Sequence, residues 1–278
     1  MFEDLELGSN QREQIAREQG ELSLLPKAQL DLAPLRRTAQ AELATMFSCA
    51  SIAQEWPEVA TAIDQIVVIE DMKTSGVNPG DRRALYYLTR ALQARRVLEI
   101  GTHVGASTIH IAAAMKRNAE DARDECRFVT VDICDVNDAD DAYWKRGGLA
   151  RSPRDALAAI GLARCATFVM MDSISYLDAH DERFDLIFLD GDHAAQNVYR
   201  EIPRALQHLC PVGVVVMHDV FPGLRPLWHD GALVPGPFLA VQRFRSERAE
   251  IELLPLGELP WPTKLGSHVT SLALLNRK

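Results

Sequence analysis

The sequence predicts an α/β fold: a doubly wound, seven-stranded, mostly parallel sheet preceded by an N-terminal helical extension. Three observations carry this expectation. Five near-continuous apolar runs, RVLEI (96–100), RFVTVD (127–132), TFVMMD (167–172), FDLIFLD (184–190) and VGVVVMHD (212–219), alternate with helical stretches. Strands read this way when helices cover both faces of a parallel sheet. The chain has 278 residues, 47% of them hydrophobic, enough for one large core with a small appendage. The first 75 residues, by contrast, are helical in pattern and contain no strand to pair.

In chain order, residues 1–75 are read as a helical extension serving as a lid or an oligomerisation segment, and 76–278 as the ligand-binding domain. Within the extension, 32–56 and 57–72 look helical. Residues 78–93 form a helix with Asn78 as N-cap, Pro79 at the first helical position, and Leu85, Leu88 and Leu92 on one face. It is expected against the edge of the first strand. The charged run 118–125 is a solvated helix end. Beyond the fifth run, 237–247 reads as a helix and 251–256 and 268–275 as the last two strands. Between them and the fifth run, residues 221–237 are rich in Pro and Gly and carry Trp228 and His229, as a lid or substrate-facing loop would. Trp228 there either stacks on an aromatic or sugar ring or fills an apolar gap.

Composition excludes several classes. A net charge of −9 argues against nucleic acid, which is held by clustered Lys and Arg. No apolar run approaches the ~18 residues that span a bilayer, and the acidic start MFEDLELG lacks the features of a signal peptide. A cytoplasmic protein without a membrane partner is expected. Five cysteines, with no C-x-x-C spacing, are read as reduced and mostly buried.

The junction after the first strand is the most informative stretch. Its pattern is Glu99-x-Gly101-x-x-x-Gly105, where glycines allow a tight turn and close approach to a ligand. Such turns face the pocket at the carboxyl ends of the strands. A carboxylate there repels a pyrophosphate and favours a cationic ligand, a sulfonium or an ammonium. A nicotinamide-dependent oxidoreductase would want G-x-G-x-x-G instead, which is absent.

Four motifs at successive strand ends resemble the class I S-adenosylmethionine-dependent methyltransferases, over about residues 95–275. The resemblance implies their Rossmann-like fold and S-adenosylmethionine as cofactor. LEIGTHVGAST looks like the methionine-binding loop, which implies Glu99, Gly101, Thr102, Gly105, Ser107 and Thr108 as cofactor residues; Ser107 and Thr108 have a helix-capping role as the alternative. Asp132, with Ile133 beside it, matches the acidic residue that accepts both ribose hydroxyls. Asp172 and Ser173 match the adenine-side segment, and FDLIFLDGDH, with Asp190, matches the motif at the reacting centre.

Methyl transfer is an in-line displacement, so the enzyme must hold a nucleophile against the sulfonium methyl. A hydroxyl nucleophile must also lose a proton, which calls for a base, a metal or both. The DGDH and HDV segments resemble the metal-dependent O-methyltransferases acting on catechols and on sugars of natural products. That resemblance implies Asp190 as a metal ligand and His193 as base, with Asp219 and His218 completing a site for Mg²⁺, Mn²⁺ or Fe²⁺. Imidazole suits Mn²⁺ or Fe²⁺ better than Mg²⁺. On the alternative reading, Asp190 and Asp219 cap strand ends and His218 is a metal-free base. Asp192 is a third ligand, another base, or the cap of the helix that follows.

The function expected is therefore methyl transfer from S-adenosylmethionine to a hydroxyl of a small molecule, a phenol, catechol or sugar. A metal-free N-methyltransferase and an NAD-dependent oxidoreductase are the alternatives, and a methyltransferase fold kept as a scaffold is a further one. A homodimer is expected if the N-terminal helices bury apolar surface against a second copy.

Overall fold

The computed structural model describes residues 7–66, 76–140, 143–147, 149–247 and 250–278. The extension contains α1 (Ser9–Ser23), α2 (Gln40–Phe47) and α3 (Ala50–Asp64), followed by α4 (Pro79–Ala91). Then come β1 (Arg96–Ile100), α5 (Ala106–Ala122), β2 (Arg127–Asp132), α6 (Tyr143–Arg146), α7 (Pro153–Ala159), β3 (Ala166–Met170) and α8 (Ser173–Ala179). The chain closes with β4 (Phe184–Leu189), α9 (Ala195–Gln207), β5 (Leu209–Met217), α10 (Gly236–Glu247), β6 (Ile251–Pro255) and β7 (Ala273–Arg277). The strand order is β3-β2-β1-β4-β5-β7-β6, and only the pairings of β7 with its two neighbours are antiparallel.

This order reverses between β1 and β4, which places the C-terminal ends of both strands at the switch point where open α/β sheets bind ligands. The apolar runs become central strands because their side chains alternate into two cores. Val97, Phe128, Leu186, Phe188, Val214 and Val216 meet α4 and α5 on one face. Leu98, Val129, Ile187, Val215 and Leu275 meet α9 and α10 on the other. β1 is flanked by β2 and β4 and has no free edge, so α4 does not lie against its edge as expected. Leu85 and Leu88 are fully buried and pack over the sheet face instead.

The extension is divided between the same two cores. Leu22, Leu30, Leu32 and Leu35 join the α9/α10 side, whereas Leu43, Phe47, Ile52, Val59 and Ile63 join the α4/α5 side. Residues 32–39 are not helical as expected; Leu35 bridges Gly213 of β5, and the Thr38 amide donates to Asn276 of β7. The helix break falls at residues 48–49 and α3 runs through Pro57; the expected stretch 67–72 lies outside the described residues. These helices bury apolar residues within their own chain. The last strand begins at Ala273, later than the pattern suggested, because residues 258–269 form a hairpin bridged by Glu258 and Val269. Its turn, Lys264 to Ser267, places Leu265 at φ 54 and Gly266 at φ 75, a type I′ geometry that a leucine adopts only under strain. All five cysteines are free, but only Cys210 is buried, fewer than expected. No helix among the described residues is long and apolar enough to cross a membrane.

Candidate active site

A cavity of about 1270 Å³ opens at the C-terminal ends of β1, β2, β4 and β5. That exceeds the ~300–1,000 Å³ usual for one ligand and leaves room for a cofactor and an acceptor together. The strand-end residues named from sequence gather on its wall: Gly101, Thr102, Ser107, Asp132, Ile133, Asp172, Ser173, Asp190, Asp192, His193, His218 and Asp219.

Three predicted cofactor residues do not reach it. Glu99 is fully buried beneath the loop, where Ser107 Oγ, Thr108 Oγ1 and Thr130 Oγ1 each donate to its carboxylate at 2.6 Å. It acts as an internal clamp on the loop, and burial, outweighing these three donors, pushes its carboxyl up to about 7. Thr108 is buried with it, and Gly105, at φ 78, is the N-cap of α5, packed against Pro153. Ser107 and Thr108 thus serve Glu99 and do not cap the helix.

On the cofactor side, Asp132 Oδ2 accepts from the His103 amide at 2.8 Å and Oδ1 from the Cys134 amide at 3.0 Å. Each oxygen keeps a further lone pair for a ligand hydroxyl. Asp172 is exposed and caps α8 through the Ser175 amide, which holds its carboxyl below the usual range. Ser173 donates to Glu201 of α9. Glu201 was missed from the sequence, although a carboxylate three residues after Val198 and four before Ala205, on the apolar face of α9, was the available signal. Burial pushes its carboxyl from 4.5 up to about 7, Ser173 opposing and Asp192 adding to the rise.

The folded state therefore holds the Glu201 proton more tightly than the unfolded chain between pH 4.5 and about 7. Stability falls as pH rises through that window and is flat above it, by up to about 3 kcal/mol for this group. Glu201→Gln is expected to gain on the wild type as pH rises from 5 to 8 in urea unfolding. A wild-type-to-variant difference that does not change with pH contradicts the assignment.

At the reacting end, Asp190 follows β4 and Asp219 follows β5. Asp219 adopts φ 51, an unusual conformation for a non-glycine residue of the kind that clusters at functional sites. His193 Nε2 lies 3.3 Å from Asp219 Oδ2 and 3.7 Å from Asp190 Oδ1. These three residues, one ligand atom each, lie within 4.8 Å of one another and form a group able to hold a divalent ion.

His218 does not belong to that group, contrary to its expected roles as ligand or base. It is buried, its Nδ1 donating to Asp190 Oδ1 at 2.8 Å and its Nε2 lying 3.3 Å from Asp81 Oδ2 of α4. Burial disfavours its charge, but Asp190, Asp219 and Asp81 overcome this and raise its pKa well above 6.5. Both of its nitrogens are engaged with carboxylates, which leaves neither free for a metal or an acceptor proton. Asp81 reads in sequence only as a first-turn acid of α4, and nothing local signals that it reaches β5. Asp192 takes the turn role, Oδ1 accepting from the Ala194 amide and Oδ2 from the Asn197 side chain. His110 is buried against Trp56, and burial lowers its pKa to about 3.

The acceptor side is closed by Trp228, His229, Asp230, Lys264 and Leu265. Trp228 lines the cavity and is packed edge-to-face on Phe221, which fits the gap-filling reading.

Residues 98–220 match the model of a family described as "Methyltransferase domain". That segment runs from β1 through the residue after Asp219 and supplies most of the strand-end residues of the cavity. Over that segment the chain is similar to methyltransferase domains. A relative from Mycobacterium sp. (strain JLS), whose name places it among the O-methyltransferases, is 25% identical over 230 residues, 80% of this chain and 92% of the relative. Among solved structures, cofactor-bound Rv0187 from MTB is similar in fold, with TM-score 0.50 and 20% identity over 87% of this chain and all of that one. The O-methyltransferase TomG from Streptomyces achromogenes, in complex with SAM, is 22% identical with TM-score 0.49, over 97% of this chain and all of TomG.

Proposed function

We propose that this enzyme transfers the methyl of S-adenosylmethionine to a hydroxyl of a small molecule, with His193 as general base. The observation that carries the reading is the position of His193 Nε2 on the cavity wall, beside both Asp219 and Asp190. A proton taken from the acceptor at that nitrogen comes to lie 3.3 Å from Asp219 Oδ2 and 3.7 Å from Asp190 Oδ1 as the methyl is transferred. Asp190 is in turn oriented by His218, itself fixed by Asp81. The name of the mycobacterial relative supports transfer to oxygen. Catechol and 1,2-diaminobenzene, offered with tritiated S-adenosylmethionine, separate the readings: the diamine methylated in preference to catechol moves the assignment to nitrogen.

On the cofactor side, Asp132 would accept from the ribose hydroxyls, Ile133 would flank the base, and Gly101, Thr102 and Ser107 would line the methionine portion. Asp132→Ala is expected to weaken S-adenosylmethionine binding tenfold or more, since a hydrogen bond to a charged group is worth about 1.5–3 kcal/mol. An unchanged dissociation constant by calorimetry removes the ribose role from that residue.

A metal-assisted form of the same reaction is supported by the donor set Asp190, His193 and Asp219, whose two oxygens and one imidazole suit Mn²⁺ or Fe²⁺. Such an ion, when bound, supplies Lewis-acid polarisation of the acceptor oxygen. It would occupy His193 Nε2, so base and ligand roles compete for one nitrogen. Activity that persists in EDTA keeps His193 as the base. Activity lost in EDTA and restored by Mn²⁺ assigns it to the metal.

A further inference from the structure

Helix α9 begins directly behind the DGDH segment, and it begins poorly. The first amides of a helix have no partner within it. Here the N-cap is Ala194, which has no side chain able to accept from them, and the first turn contains no acid. The Ala195 amide is nevertheless satisfied. Glu18, on α1, reaches across 177 residues of sequence to accept from it through Oε2 at 3.0 Å. Glu18 is 5% exposed, and its other oxygen accepts from Gln14 at 2.9 Å. Its carboxylate sits at the positive end of the α9 dipole, where a negative charge is favoured.

The same short segment is approached by Gly236 at the start of α10. A Cβ there would overlap the His193 carbonyl oxygen and come within 2.7 Å of Ala195 N and 2.8 Å of Glu18 Oε2. The backbone from His193 to Ala195 is thus packed against both a carboxylate of the N-terminal extension and a glycine that permits close approach. α1 also reaches the substrate-facing loop, where Gln11 donates to the Gly231 carbonyl at 2.8 Å.

We propose that Glu18 is a positioning residue for the catalytic loop: by capping α9 from outside, it fixes the backbone that aims His193 at Asp219 and the acceptor. This assigns the extension a part in the reaction, and it rests on the proposed function only for the role of His193. Geometry at such a centre is demanding, since small misplacement of a base costs rate without costing cofactor affinity.

The test compares Glu18→Met, which keeps the buried stem and loses both acceptors, with Glu18→Gln, which keeps one, and with Gly236→Ala, which presses on the His193–Ala195 backbone and on the Glu18 carboxylate. Hydrogen exchange at the Ala195 amide is expected to speed up at least tenfold in Glu18→Met and to return towards wild type in Glu18→Gln. With tritiated S-adenosylmethionine and catechol, kcat should fall at least tenfold in Glu18→Met and Gly236→Ala, while the dissociation constant for S-adenosylhomocysteine stays within twofold. Either of these two variants that folds decides the kinetic comparison. Unchanged Ala195 exchange in Glu18→Met overturns the proposal, as does unchanged kcat, or a loss in Glu18→Gln equal to that in Glu18→Met. A wild type that leaves catechol unmethylated counts against the proposed function, and the exchange comparison then decides on Glu18 alone.

Discussion

His193→Ala is expected to lower kcat on the order of 10²–10⁴-fold while S-adenosylmethionine binds with nearly wild-type affinity. The split follows from where the side chain acts. General-base catalysis is realised in the transition state, and its loss appears in turnover and not in ground-state binding. The His193 ring faces Asp219 and Asp190, away from the two backbone amides that organise Asp132. His218 cannot substitute, because both of its nitrogens already donate to carboxylates in a buried position. Single-turnover methyl transfer and titration with S-adenosylhomocysteine give the two quantities separately. A variant that retains wild-type turnover removes His193 from the chemistry; one that loses affinity and turnover in equal measure makes it a binding residue.

The contrast between His193 and His218 shows what the sequence made legible. Both histidines stand beside an aspartate at a strand end, and the DGDH and HDV patterns placed them at the reacting centre. Strand-end motifs are readable because a parallel strand delivers its last residue to the same rim as its neighbours, whatever the loops do. Which nitrogen faces which carboxylate is a tertiary matter. The partner that fixes His218 is Asp81, 137 residues earlier on a helix that crosses the sheet face. The strand-end carboxylates of Asp190 and Asp219, with Asp81 behind them, raise the pKa of His218 well above 6.5.

Glu99 illustrates the same limit in the other direction. The glycine pattern located the loop, but the carboxylate expected to face the ligand faces three hydroxyls beneath it. Ser107 and Thr108 in sequence look like helix-start residues, and only the fold shows that they donate downwards. The N-terminal extension was readable as helical and no further, because the use of α1 depends on a contact 177 residues away. Of the hairpin that brings Leu265 to the cavity, only residues 268–269 fall within the expected last strand, and no motif in 257–267 signals the turn.

Gly101→Ala carries the largest expected effect on the fold and the site together. Gly101 has φ 96, a conformation that costs an alanine about 1–2 kcal/mol. A Cβ there would also overlap the Asp190 carbonyl oxygen, with the carbonyl carbon at 2.6 Å and the Gly191 amide nitrogen at 2.9 Å. These are backbone atoms at the end of β4, tied back to β1 by the Asp190 amide donating to Ile100 at 2.9 Å. They cannot swing aside as a side chain tip would, so the overlap adds strain of about 1–3 kcal/mol. Relief requires β1 and β4 to part at the rim, which moves the cofactor loop and the Asp190 carboxylate at once. Gly101→Ala is therefore expected to lose at least about 3 kcal/mol in urea unfolding, and to lose S-adenosylhomocysteine affinity and turnover together. Gly223→Ala is the control, with φ 67 and open space around the added carbon; it should lose only the conformational 1–2 kcal/mol and leave binding unchanged. Equal losses in the two variants would mean that the close approach of β1 and β4 contributes nothing beyond the backbone angle, and that the cofactor and reaction halves of the site are not coupled through Gly101.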